Sequence, residues 1–252
     1  MKKTLFIGHS HTVAIQSAAR ELVELNPCES PFDFIDFRSK EFAPNYIKAK
    51  PMHINPQFQT AFNGKVSGVS SVVSCAHGNE YSILGLVNST RPFDFFLSEE
   101  NSPEVCNTVE LIPEQFVVER LTGMAFKIKF FLTSLRELTP KEIPLFHMES
   151  PPPNPDLDHI NKFPGAYAQR IKDSGIAPNY LRYKIWRVYS GIVRSHCEKI
   201  GITFISAPKG GLDDNGFLGE GFRENDPTHG NARYGKLVLE ETLDAIKNLD
   251  KT

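Results

Sequence analysis

The sequence predicts an α/β fold, a three-layer α/β/α sandwich built on a central, mostly parallel sheet of five strands. Short apolar runs of strand length alternate about five times with longer stretches whose apolar residues recur at helical spacing. That alternation is the pattern of a parallel sheet covered on both faces, with right-handed crossovers placing the helices. Composition agrees: 40% hydrophobic and 23% charged residues over 252 positions are ordinary for a globular chain and exclude disordered and fibrous classes.

The elements follow in order. Thr4 to Ile7 reads as a buried strand, and from Thr12 the residues Ile15, Ala18, Ala19, Leu22 and Leu25 keep helical intervals. Phe32 to Phe37 is a second strand, set between Pro31 and Arg38-Ser39-Lys40, and Val69 to Cys75 is a third. Pro113 to about Leu138 predicts one long amphipathic helix, with Val117, Leu121, Met124, Ile128, Phe131, Leu132 and Leu135 on one face and Pro113 in its first turn. Ile143 to Met148 is the fourth strand, Pro178 to Ile200 a helix, Ile202 to Ser206 the fifth strand and Asn231 to Leu249 the closing helix. The expectation is a single domain over residues 1–252, with long loop insertions near 41–56, 85–112 and 150–177. Loops of that length usually shape a site. In open parallel sheets the site lies outside the carboxyl ends of the strands.

Charge narrows the partners. With 28 Lys and Arg against 30 Asp and Glu, the formal charge is −2, so neither nucleic acid nor an anionic membrane is favoured. No stretch approaches the ~18 apolar residues of a membrane span. The first apolar run is also shorter than the ~7–15-residue core of a signal peptide. Cys28, Cys75, Cys106 and Cys197 form no C-x-x-C pair, so reduced thiols in a cytoplasmic protein are the expectation. The sequence carries no reading of oligomeric state.

Four motifs converge on the carboxyl edge. Gly8-His9-Ser10-His11-Thr12 joins the first strand to the first helix, where free N–H groups and the helix dipole favour a developing anion; Ser10 or Thr12 can equally cap the helix. Asp226-Pro227-Thr228-His229 sits between the fifth strand and the last helix. There a carboxylate can hold an imidazole that accepts a serine proton, although Thr228 or Asn231 capping the helix, with Asp226 in a turn, explains the same residues. Ala76-His77-Gly78-Asn79-Glu80 follows the third strand, and its asparagine can donate to an oxyanion or simply form a turn. His147-Met148-Glu149-Ser150 and three prolines end the fourth strand, with His147 and Glu149 on one face.

In content and order these motifs resemble the SGNH (GDSL-type) hydrolase family. Gly8-His9-Ser10 stands where that family has Gly-Asp-Ser, Asn79 matches its oxyanion asparagine, and Asp226 and His229 match its D-x-x-H block. The resemblance extends over nearly the whole chain and implies the family's three-layer fold. It also implies a serine hydrolase acting on a small or carbohydrate-linked carboxylic ester, without cofactor or metal. Ser10 would be the nucleophile, His229 the base and Asp226 its orienting carboxylate, with the oxyanion held by the Ser10 N–H, the Asn79 amide and one glycine N–H. Gly64 or Gly68, ahead of the third strand, are the candidates for that glycine. His11, His77 and Glu149 are candidates for substrate contact. Two departures stand out: His9 replaces Asp, and His77-Gly78-Asn79-Glu80 lacks the first glycine of the family's G-x-N-D block.

Other chemistries could use the same residues. The same triad would transfer an acyl group to a saccharide if a sugar hydroxyl replaced water. A non-catalytic carbohydrate binder could use loop aromatics such as Phe93, Phe95, Phe96, Tyr167, Phe217 and Phe222. A metal hydrolase could draw on His9, His11, His77, His147, Asp226 and His229, although no H-E-x-x-H spacing is present. The lack of G-x-G-x-x-G after the first strand and of any Gly-Lys-Ser/Thr loop excludes the common nucleotide-binding uses of such folds.

Overall fold

Period-two alternation along each strand sends neighbouring side chains into opposite layers. The structure, a computed structural model, describes residues 3–25, 30–76, 78–98 and 105–249. Strand β1 (Lys3–Gly8) leads into α1 (His11–Leu25), β2 (Phe32–Asp36), the short β3 (Tyr46–Ile47) and β4 (His53–Ile54), and α2 (Pro56–Val66). Next come β5 (Val69–Cys75), α3 (Ser82–Gly85), the short β6 (Phe93–Asp94) and β7 (Glu110–Leu111), α4 (Glu114–Met124) and α5 (Phe126–Leu138). The chain continues through β8 (Leu145–Met148), α6 (Leu157–Lys162), α7 (Ala168–Ser174), α8 (Asn179–Lys199), β9 (Thr203–Ile205) and α9 (Ala232–Leu249).

The central sheet has five strands in the order β2-β1-β5-β8-β9, all parallel, as the alternation predicts. Leu5, Ile7, Ile35, Val72 and Leu145 face one core, closed by residues of α2, α4, α5 and α8. Phe6, Phe32, Val73, Phe146 and Ile205 face the other, closed by Ile15, Ala18 and Ala19 of α1 and Tyr234, Val238 and Leu239 of α9. A strand buried on both faces is largely apolar, as the Leu5-Phe6-Ile7 run of β1 is, while β5 buries Ser71 and Ser74 by pairing their hydroxyls with Thr4 and His147. The chain steps from β1 outward to β2 and then back across to β5, so the strand order reverses at β1. The carboxyl ends of β1 and β5 therefore flank the crevice in which such sheets bind ligands.

Two expectations are corrected. The helix expected over Pro113 to Leu138 is two helices: Ala125 has ψ 0° and stands between the end of α4 and the start of α5. Gly123 lowers helix preference just before that point by about 1 kcal/mol relative to alanine, and Ala125 is fully buried where the two helices meet. The stretch 150–177 is not one loop, because α6 and α7 lie in it. Likewise α2 follows directly on the 41–56 insertion, its first turn capped by Asn55, whose side chain accepts the Gln57 N–H. Cys75, Cys106 and Cys197 are free thiols, and Cys28 lies outside the described residues. No helix among the described residues is long and apolar enough to cross a membrane.

One buried ion pair holds the segment that carries β6 against α8. Lys184 Nζ donates to Asp94 Oδ1 at 2.7 Å, with neither side chain more than 1% exposed, and also to the Phe95 carbonyl at 2.9 Å. The Asp94 carboxylate accepts the N–H groups of Phe95 and Cys106, each at 2.8 Å. Removing one partner of a buried pair strands the other charge, so Lys184→Met should cost about 3–5 kcal/mol, read as a shift in the urea unfolding midpoint. The double variant Lys184→Met/Asp94→Leu should recover part of that loss.

Candidate active site

The turn after β1 is tight because Gly8 has no side chain. A Cβ at Gly8 would stand 2.6 Å from the Thr12 methyl and 2.8 Å from the Cys75 carbonyl oxygen, so only glycine lets the ends of β1 and β5 close on each other. Thr12 then turns inward and its hydroxyl donates to the His9 carbonyl. Ser10 precedes the first residue of a 15-residue helix. Its N–H meets no acceptor among the described residues, and it lies at the positive end of the helix dipole. Its hydroxyl makes no cap bond and instead donates to His229 Nε2, with Oγ and Nε2 2.5 Å apart.

The loop ahead of α9 supplies the other two groups. Asp226 does two things at once. Its Oδ1 accepts the N–H of Thr228 at 2.7 Å and of His229 at 2.9 Å, which builds the turn. Its Oδ2 accepts the His229 Nδ1–H at 2.7 Å. Burial works against charge on Asp226, but the bond from the His229 ring and these two backbone donors outweigh it and hold the carboxyl below its ordinary value. The helix is capped by Asn231, whose Oδ1 accepts the N–H groups of Arg233 and Tyr234. Ser10, His229 and Asp226 thus form one hydrogen-bonded row.

Opposite Ser10, the segment after β5 carries Asn79. Gly78 has φ +103°, open to glycine at little cost, and a Cβ there would press on Ser150 at 3.0 Å. Its N–H donates to Glu80 Oε2 at 2.9 Å, and the same oxygen accepts the Tyr189 hydroxyl at 2.9 Å. Glu80 therefore shapes the turn on which Asn79 stands, a role its place in the motif did not suggest. Asn79 is half-buried, with Oδ1 shut away from water and unpartnered; its amide nitrogen is the other end of the same planar group.

The remaining candidates sort differently. Gly64 lies in α2, two residues before that helix ends and ahead of β5, and Gly68 immediately precedes β5. Residues leading into a parallel strand sit at its amino end, so both glycines are across the sheet from Ser10, and neither is part of the site. The loop after β2 offers no substitute in its first residues, since the N–H groups of Phe37, Arg38 and Ser39 go to the Gly8 carbonyl, Asp36 Oδ1 and the Asp36 carbonyl. Glu149 is buried, its Oε2 accepting the Ala207 N–H at 2.8 Å. His11 packs its ring against that of His229, with centroids 4.7 Å apart. Both stand behind the Ser10-His229-Asp226 row with their polar atoms closed to solvent, which is a different place from the substrate contact expected of them. His77 lies outside the described residues.

The rival chemistries find less support. His147 Nδ1 is bonded with Ser74 Oγ at 3.1 Å inside the sheet, and His9 packs edge-on to Phe37. Among the described residues no three His, Cys, Asp or Glu side chains are grouped to hold a metal ion. Of the loop aromatics, Phe95 and Phe217 are core residues and offer no face to a sugar.

No family model and no curated protein matches the chain. Among solved structures it is similar to a GDSL-like lipase from Bacteroides thetaiotaomicron, at 15% identity over 98% of this chain and 89% of that one, with a TM-score of 0.45. It is also similar to the periplasmic domain of a lipopolysaccharide acetyltransferase from Salmonella ser. Paratyphi A, at 13% identity over 98% and 84% of the two chains and a TM-score of 0.47. A third is the aryl esterase of M. smegmatis, at 11% identity over 97% and 99%, with a TM-score of 0.44.

His11 makes the site sensitive to acid. Burial first, then the neighbouring His229, push its imidazole from 6.5 down to about 3. Between those values the unfolded chain binds a proton that the folded chain refuses, so stability is full above pH 6.5 and falls as pH drops toward 3. The slope is at most about 1.4 kcal/mol per pH unit for this one group. Urea midpoints measured between pH 7 and 4 should decline steeply in the wild type and much less in His11→Phe.

Proposed function

We propose that this protein is a serine hydrolase that cleaves a carboxylic ester through a covalent acyl-enzyme. The observation that carries the reading is the row Ser10 Oγ–His229 Nε2–His229 Nδ1–Asp226 Oδ2, with contacts of 2.5 and 2.7 Å. A hydroxyl is a weak nucleophile until a base takes its proton, and a base needs a fixed tautomer to do so. The motif order that resembles SGNH hydrolases agrees with it.

Ser10 Oγ attacks the ester carbonyl while its proton passes to His229 Nε2. The Asp226 carboxylate, kept ionised by its donors, stabilises the imidazolium. The tetrahedral oxyanion is met by the Ser10 N–H at the amino end of α1 and by the Asn79 amide. His229 then protonates the leaving alcohol, and the breaking C–O bond leaves an acyl group on Ser10. Water, deprotonated by the same ring, releases the acid and restores the hydroxyl. A saccharide hydroxyl in place of that water would make the reaction an O-acyl transfer. The balanced charge of the chain, −2 overall, suits a small neutral or carbohydrate-linked ester better than a polyanion.

The test is a panel of p-nitrophenyl and acetylated-sugar esters. Ser10→Ala and His229→Ala should lose turnover, while Asp226→Asn should fall by about 10⁴ through the wrong tautomer, all three remaining folded by circular dichroism. A fluorophosphonate should label wild-type Ser10 and not Ser10→Ala. Turnover retained in Ser10→Ala would refute the assignment.

A further inference from the structure

Beneath the triad, between α1, α9 and the ends of β5 and β8, lies a cavity of about 20 Å³ whose lining includes Ile15, Met148 and Val238 beside His11, Glu149 and Tyr234. Most of that lining is apolar, yet three of its side chains keep buried polar atoms without a hydrogen-bond partner: both ring nitrogens of His11, Glu149 Oε1 and the Tyr234 hydroxyl. They come from three separate parts of the chain, the start of α1, the segment after β8 and the first turn of α9. Buried polar groups left unmatched cost about 1–3 kcal/mol each. Three side chains meeting at one cavity therefore point to an occupant that gives each of them a partner.

The donor inventory identifies it. The neutral His11 ring offers one N–H and one acceptor nitrogen, Glu149 Oε1 accepts, and the Tyr234 hydroxyl both donates and accepts. A water molecule needs roughly 10–15 Å³ and two to four polar partners, and this cavity meets both conditions. Resting on the hydrolase reading above, we propose that the cavity binds water that joins His11, Glu149 and Tyr234 into one hydrogen-bonded relay, and that these three are positioning residues for His229. The water accepts the Tyr234 O–H and donates to Glu149 Oε1 and to the acceptor nitrogen of His11. Glu149 is itself anchored by the Ala207 N–H, so the relay runs from the end of β9 to the His11 ring, which lies against the ring of His229. Fixing the first ring limits the tilt of the second, and with it the reach of Nε2 to Ser10.

Tyr234→Phe and Glu149→Gln keep shape while removing one relay atom or its charge. Each should slow fluorophosphonate labelling of Ser10 and lower kcat for p-nitrophenyl acetate by about tenfold, with KM unchanged, because a small misplacement of a catalytic ring is costly. The double variant should be no slower than the slower single one, since both break the same relay. Labelling of both variants at the wild-type rate would overturn the proposal. So would an unchanged kcat with a raised KM, which would place part of the substrate in the cavity. Melting gives a readout that does not need activity. Loss of a water-bridged hydroxyl in Tyr234→Phe should lower Tm by about 2–4 °C, whereas loss of an unmatched one leaves Tm unchanged or higher, and that result also rejects the relay. Failure of the wild type itself to label would instead strike the hydrolase reading.

Discussion

The carboxylate of Asp226 holds the site together, because its two oxygens serve two different structures. One ties the backbone N–H groups of Thr228 and His229 into a turn, and the other takes the proton side of the His229 ring. The backbone that presents the ring and the bond that orients it therefore move as one unit. A carboxylate in this half-buried place would ordinarily resist charge. The three donors overcome that resistance, so the group that fixes the geometry also stays negative where an imidazolium would form.

That loop is useful only because of what faces it. Ser10 and His229 are 219 residues apart in the chain, and they meet because β1 occupies the reversal point of the strand order and α9 returns to pack on α1. Gly8 brings β1 close against β5, which sets Ser10 and Asn79 on the two banks of one crevice. The close packing of a parallel sheet thus does for the site what a flexible loop could not: it sets distances to a few tenths of an ångström.

Charged and polar groups in the interior follow a common rule with different outcomes. Asp94 and Lys184 are buried together and satisfied by each other and by neighbouring backbone. Arg182 is buried on backbone carbonyls of Ala177, Asn154 and Pro155, which binds the segment before α6 to α8. Glu149, His11 and Tyr234 keep polar atoms unmatched around a cavity next to the site. The first two arrangements hold two of the long insertions against α8. The third marks where the interior is arranged around the site.

Much of this was legible along the chain, and the reason is locality. Five apolar runs with helical stretches between them suffice for a two-sided parallel sheet, and Ser10, Asn79, Asp226 and His229 stand out in the sequence because each sits within a few positions of a strand end or helix start. Where reading failed, the relevant partner was remote. Gly64 is close in sequence to the third strand, but a residue ahead of a parallel strand must lie at its opposite edge. The break at Ala125 depends on how α4 and α5 each pack, and the periodicity of either alone continues through it. His11 and Glu149 read as groups facing a substrate, yet their orientation relative to the sheet turns them inward toward Tyr234. Local chemistry was enough to specify the elements, their turns and the kinds of group at each turn. Which of those groups touch, and which face water, came only with the fold, because a hydrogen bond of 2.5 to 3 Å between residues scores or hundreds of positions apart exists only once the layers have closed.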